Sequence, residues 1–307
     1  MRYKNHFLLL LTAFIWGCAF VAQSAGMDYV GPFTFTALRS YLGGLVLLPL
    51  IYFFDHTMNF KDTKLWAGGI ACGIVLGLAS ALQQFGIQYT TVGKAGFITA
   101  LYIIVVPFFS LFLGKKLSPK IGISVVLAVI GLYLLCMTGS LSLGKGDLLV
   151  CACACVFALH ILVIDHYSPL VDGVKMSCIQ FFTCALLNTI PMFLFEDVSM
   201  HNIMAGCAPI LYAGLLSSGA GYTLQIIGQK GMNPTVASIL LSMESVFSVL
   251  AGWMILGQSL TIKEGLGCVL MFIAIIIAQL PDKKNHSELN NVDPMSRTLN
   301  KNLLKID

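Results

Sequence analysis

Val236–Gly257 reads VASILLSMESVFSVLAGWMILG, and this stretch decides the fold. As a helix it is long enough to cross a hydrocarbon layer, which takes about 20 apolar residues. One acid, Glu244, stands near its middle. On a wheel turning about 100° per residue, Ile239, Leu240, Met243, Val246, Phe247, Leu250, Trp253 and Met254 fill one apolar side. Ser238, Ser242, Glu244, Ser245, Ser248 and Gly252 collect on the other. A carboxyl at that depth costs about 3 kcal/mol or more unless it meets a partner, water or a proton. Glu244 is therefore expected to face a bundle interior or cavity, which the rest of the chain must supply.

Of 307 residues, 57% are hydrophobic and 10% are charged. That balance belongs to a polytopic membrane protein, not to a soluble domain. The formal net charge is +4, but the basic residues sit in short gaps between apolar runs and in the tail. Without a basic motif or a stacking platform, a nucleic-acid partner is not expected. All ten cysteines lie in or beside apolar runs, where a thiol packs as a small hydrophobe. Cys151, Cys153 and Cys155 lack the spacing and nearby histidines of a zinc site, so no metal or cofactor is expected.

Ten apolar segments follow one another: Phe7 to Gly26, Phe33 to Phe54, Trp66 to Tyr89, Gly93 to Leu113, Ile121 to Met137, Leu148 to Ile164, Met176 to Phe195, Ile203 to Gly228, Val236 to Gly257 and Gly265 to Leu280. The first resembles a signal peptide, with Arg2 and Lys4 ahead of it and Ala22-Gln23-Ser24 as a cleavage site, but its length favours a retained helix. With the amino terminus inside, the cytoplasmic gaps collect Lys61, Lys64, Lys115, Lys116, Lys120, Lys175 and Lys230, and the opposite loops hold only Lys94, Lys145 and Lys263. Both termini are thus expected in the cytoplasm. From Pro281 onward the chain turns polar and is expected to be a disordered cytoplasmic tail, residues 281–307.

The chain also repeats itself. Leu113-Gly114-Lys115-Lys116-Leu117-Ser118, with Lys120 and Gly122 following, returns as Leu256-Gly257-Gln258-Ser259-Leu260-Thr261 with Lys263 and Gly265. Gly73, Gly77, Ser80 and Gln84 return at equal spacings as Gly214, Ser218, Gly221 and Gln225. Each half then holds five helices, and an odd number sets the two copies in opposite orientations. The expected fold is an all-α integral membrane protein of ten transmembrane helices in two inverted five-helix repeats, residues 1–138 and 146–280.

Trp16-Gly17, Pro32 and Ala37-Leu38-Arg39 before a Leu- and Gly-rich run resemble the opening of a repeat of the EamA branch of the drug/metabolite transporter superfamily. Gly146-Asp147-Leu148-Leu149 resembles the opening of the second repeat, and Met243-Glu244-Ser245-Val246-Phe247 leading to Leu256-Gly257 its end. Ser245 stands where that family often has Pro, and Lys115 and Gln258 where it often has Glu. The resemblance covers Phe7 to Leu280. It implies a ten-helix carrier with both ends in the cytoplasm, set in a bacterial inner membrane, that exports amino acids, other metabolites or toxic compounds.

Glu244 is the leading candidate for the pathway, able to bind and release a proton as a cavity alternates between sides, or else fixed by serines as structural glue. Arg39 offers a guanidinium to a substrate carboxylate or an acid, or snorkels to the outer headgroups. His160 lies mid-helix, a turn or more from Asp165, as a relay or as an interior hydrogen-bonded histidine. Gln84 and Gln225 share faces with small-residue runs that let helices approach. Gln83, Tyr102, Gln180 and Asn188 are polar enough to join a lining. Trp16 and Tyr222 suit stacking on a planar solute or filling of the bundle, and Pro107 and Pro191 are expected to bend their helices.

The pattern points to a secondary carrier of small molecules working by alternating access. No P-loop is present for ATP. A flippase for a lipid-linked head group is the alternative. A membrane-embedded enzyme would need paired catalytic groups that the sequence does not offer, and a scaffold would need none.

Overall fold

A computed structural model describes residues 2–55, 60–90, 92–114, 117–136, 144–256 and 261–280. Outside them lie Lys115, Lys116 and Gly257 to Leu260 of the repeated motif, Met137 at the end of the fifth segment, and the polar tail from Pro281. The described residues are helical, with short connections and no strand among them. The first half runs α1 (Arg2–Gly26), α2 (Pro32–Asp55), α3 (Thr63–Ile87), α4 (Val92–Ala100), α5 (Tyr102–Phe112) and α6 (Pro119–Cys136). The second runs α7 (Lys145–Tyr167), α8 (Gly173–Phe195), α9 (Met200–Ala205), α10 (Cys207–Leu211), a π-helical stretch (Tyr212–Tyr222), α11 (Thr223–Gln229), α12 (Pro234–Leu241), α13 (Glu244–Leu256) and α14 (Ile262–Gln279).

Among the described residues eight helices are long and apolar enough to cross a membrane, and Pro119–Leu134 is a shorter apolar helix. Phe14, Leu45, Ile74, Phe108, Leu186 and Ile190 stand exposed on the outside, as lipid contact demands. Polar residues mark the helix starts, where backbone N–H groups need acceptors. Asp62 caps α3, Asp172 caps α8, and Asn233 caps α12 just before Pro234. Thr261 and Glu264 form a capping box on α14. Asp147 accepts from Gly144 N and Thr90 Oγ1 at the start of α7, which gives the Gly146-Asp147 pair a local purpose. The start of α2 is capped from far along the chain. Glu196, at the end of α8, accepts from Phe33 N, Thr34 N and Thr34 Oγ1 at 2.7–2.8 Å.

Three expected helices differ from simple spans. Gly93–Leu113 is broken at Leu101, and Val236–Gly257 is broken at Ser242–Met243, one residue before Glu244. Leu101 (φ −62, ψ −10) and Ser242 (φ −62, ψ −11) share one backbone conformation. Both breaks are held by bonds three residues apart, such as Ile104 N to Leu101 O and Ser245 N to Ser242 O. Neither has a Gly or Pro, so tertiary contact makes them: Ser245 Oγ donates to Gly96 O across the two broken segments. The wheel drawn for Val236–Gly257 changes accordingly. Ile239, Leu240, Met243 and Val246 are buried in the main core, while Met254 on the same side is exposed. The third difference is Ile203–Gly228, which carries eleven residues of π-helix. There Gly214 and Gly219 lie against Leu42 and Val46 of α2, and Gly43 of α2 meets Ser218; a Cβ on any of these three glycines would sit 2.6–2.8 Å from its neighbour.

The closest associations are α6 with α14, α2 with α8, and α3 with both α7 and α8, while α1 lies across the π stretch, α11, α12 and α13. Cys72, Cys153, Cys178 and Cys184 are buried between helices, as small packing residues.

Candidate functional site

The breaks in α4–α5 and α12–α13 set up the centre of the molecule. Each puts a functional side chain at or beside the first turn of the following half-helix. Tyr102 opens α5, Glu244 opens α13, and Tyr102 Oη donates to Glu244 Oε1 at 3.1 Å. Glu244 is 4% exposed, so the acid is held at bundle depth by a phenol from the other half of the chain. Gly17 of α1 lies against the Glu244 carbonyl and Phe247, which lets α1 approach α13 and carries Trp16 to the same depth.

Around this pair lies a cavity of about 30 Å3, room for roughly two water molecules. Trp16, Arg39, Gln83, Tyr102, Tyr222, Gln225 and Glu244 line it. The sequence had selected these residues from seven separate elements, and the fold brings them to one place. Four further candidates are absent from the lining. Gln84 donates to Gln23 O at 3.0 Å. His160 Nε2 and Gln180 Oε1 are 3.0 Å apart and fully buried, with the imidazole edge-on to the Tyr222 ring. Asn188 donates to Cys184 O, one turn back on its own helix.

Sequence reasoning missed Phe20, Gln23, Thr99, Phe157, Ile161, Ser217 and Leu241 in the lining. Helical spacing from Trp16 through Phe20 to Gln23 puts all three on one side of α1. Ser217 owes its place to the π stretch, where its carbonyl accepts from Trp16 Nε1 at 3.3 Å. Trp16 and Tyr222 stack against each other at 4.5 Å. Gln83 donates to Thr99 Oγ1, whereas the side-chain amide oxygens Oε1 of Gln23 and Gln225 are buried without a donor among the described residues.

Arg39 is the most telling member. It is 3% exposed, its guanidinium carries five N–H donors, and among the described residues it makes no hydrogen bond or ion pair. Burying a guanidinium this way is costly unless something enters the cavity to meet it. Apolar clusters flank the cavity. Phe20, Ile87, Ile98 and Val150 pack together toward one end, and Leu9, Ala13, Ala237 and Leu240 belong to the core toward the end carrying the amino terminus.

Comparison with known proteins places this arrangement. The model of the EamA-like transporter family matches residues 4–137 and again 144–279. The chain belongs to the EamA-like transporter family. A protein of Archaeoglobus fulgidus named an uncharacterized transporter is 30% identical over 89% of this chain and 84% of its own length. The transporter YoaV of Bacillus subtilis, also named uncharacterized, is 23% identical over 88% and 94%. A chloroplastic WAT1-related protein of Arabidopsis thaliana is 21% identical over 90% of this chain and 69% of its own. One crystal structure matches the fold with a TM-score of 0.77 at 18% identity, covering 91% of this chain and 97% of that one. As an EamA-like protein the chain is a multi-pass membrane transporter.

Proposed function

We propose that the protein is a secondary carrier that exports small metabolites, such as amino acids or toxic compounds, by alternating access, with Glu244 as the group that carries a proton. One observation carries this reading: seven separate elements deliver Arg39, Glu244, Tyr102, Gln83, Gln225 and two aromatic rings to one buried cavity. Carriers hold their sites near mid-membrane at the interface of repeats, and intramembrane ionisable groups mark such paths.

The reading includes ten spans in two inverted five-helix repeats, with α6 and α14 as the fifth of each. It is supported by the pairing of elements. Under the displacement that takes Gly73 to Gly214, Leu101 falls on Ser242, so the two helix breaks correspond. α2 then packs on its own counterpart α8, and α6 on α14. The contact of α3 with α7 has its counterpart in α1 against the π stretch and α11. Both termini lie in the cytoplasm of a bacterial inner membrane, by the distribution of lysines.

A flippase is the second reading, favoured by a crevice of about 580 Å3 between α2, α8, α11 and the π stretch, lined by Val46, Leu50, Leu215 and Leu224 with Asp172 and Lys175 at one end. It shares no lining residue with the central cavity, and the close packing of Gly43 on Ser218 lies between them. A soluble solute is therefore favoured. The test is flux of candidate solutes, with and without a pH gradient, in liposomes containing the pure protein. Gradient-driven flux that is lost in Glu244→Gln is expected; unchanged pH-driven flux in that variant removes the proton assignment, and lipid scrambling without solute flux selects the flippase.

A further inference from the structure

We infer that the cavity takes an organic monoanion and a proton together, the carboxylate on Arg39 and the proton on Glu244. This rests on the carrier reading above and names its substrate class. The empty cavity holds one guanidinium and one carboxyl, which balance when the acid is ionised. The two are not equally provided for. Glu244 has the Tyr102 hydroxyl, whereas Arg39 has no hydrogen-bond acceptor among the described residues. The unmet demand is thus for an anion, and a carboxylate meets a guanidinium through two parallel bonds.

An anion on Arg39 beside an ionised Glu244 would leave a net negative charge in a nearly dry cavity, where like charges repel strongly. Protonating Glu244 removes that repulsion, so each ligand favours the other. The titratable groups near Glu244 are Tyr102, Tyr222 and Cys153, and Arg39 lines the same cavity. From α1 and α4, which pack on α13, the cavity receives Trp16, Phe20, Gln23 and Thr99, and α6 sends nothing into the lining. Among the described residues of the lining, Arg39 is the one fixed positive charge.

A second cavity agrees in sign. At the end carrying the amino terminus, a vestibule of about 640 Å3 is lined by Lys4, His6, Lys120 and Lys230, with no carboxylate among the described residues of its lining. Lys120 donates there to the Leu280 carbonyl.

Calorimetry on the whole protein in detergent, in buffers of differing ionisation enthalpy, tests this with three probes: phenylacetate, phenylalanine and phenethylamine. Phenylacetate is expected to bind best, with uptake of about one proton and about tenfold weaker affinity per pH unit on the alkaline side. Glu244→Gln should bind it with no proton uptake and no pH dependence. Arg39→Gln should lose at least about tenfold in affinity, and if that variant fails to fold, Arg39→Lys should bind more weakly with proton uptake retained. Tighter binding of phenethylamine or phenylalanine, phenylacetate binding without proton uptake, full affinity in the Arg39 variants, or no binding of phenylacetate would each overturn the inference. None of these measurements needs a membrane. A failure here leaves the carrier reading to stand on flux, and absent flux with intact binding sinks only the carrier reading.

Discussion

Glu244 shows how one residue is read from sequence and what the reading leaves out. An acid inside an apolar run must be sheltered, so its inward placement was legible; its partner was not. Tyr102 lies 142 positions away, and only the two helix breaks bring the hydroxyl and the carboxyl together. Tyr102→Phe removes that one donor without changing the ring. Hydrogen bonds to charged groups are worth about 1.5–3 kcal/mol, so flux should fall by about tenfold or more, measured in liposomes at matched protein content. His160 was equally legible as a polar group in an apolar helix, but its partner is Gln180 and it lines no part of the cavity. His160→Leu is therefore expected to lower stability by about 1–3 kcal/mol, because Gln180 is left buried and unpaired. Flux per folded molecule should stay near wild type. Thermal unfolding read beside flux separates the two, and a lost flux at full stability would return His160 to the pathway.

At the scale of the element, hydropathy located the spans because length and apolar content are local properties. It could not locate the breaks at Leu101 and Ser242, because those backbones are set by neighbours rather than by Gly or Pro at the site, nor the π stretch, whose Gly214, Gly219 and Gly221 answer to contacts with α2 and α1. The cap on α2 is of the same kind. No local pattern singles out Glu196, yet it takes three hydrogen bonds from the first turn of a helix more than 160 positions earlier, at the positive end of the helix dipole. Glu196→Ala should lower the unfolding free energy by about 1–2 kcal/mol, read as a lower midpoint in detergent, whereas Glu196→Gln should recover part of it. The Trp16-Gly17 pair was read from resemblance, and its physical reason is contact. A Cβ at Gly17 would stand 2.7 Å from the Glu244 carbonyl. Gly17→Val should thus push α1 from α13 and abolish flux even where the protein still inserts, which surface labelling of the expressed protein can establish.

For the whole molecule, the small cavity and its two flanking apolar clusters make a specific demand. Room for about two waters admits no metabolite, so the conformation described is one from which helices must move before a solute enters. A carrier opens one closure at a time; a channel opens both. Ala237 lies in the layer toward the amino-terminal end and Ile98 in the layer opposite, both buried. Cysteine placed at each in turn, with wild-type labelling subtracted for the native thiols, reports which closure is open to a membrane-impermeant reagent. Ala237→Cys should react only from the amino-terminal side and Ile98→Cys only from the other, and a solute that favours one opening should raise one rate while lowering the other. Such opposition is required by a single equilibrium between two packed states, since stabilising either depletes the other. Simultaneous reaction of both positions with reagent supplied from one side would mean a continuous pore, and the apolar layers would then be constrictions of a channel rather than the alternating closures of a carrier.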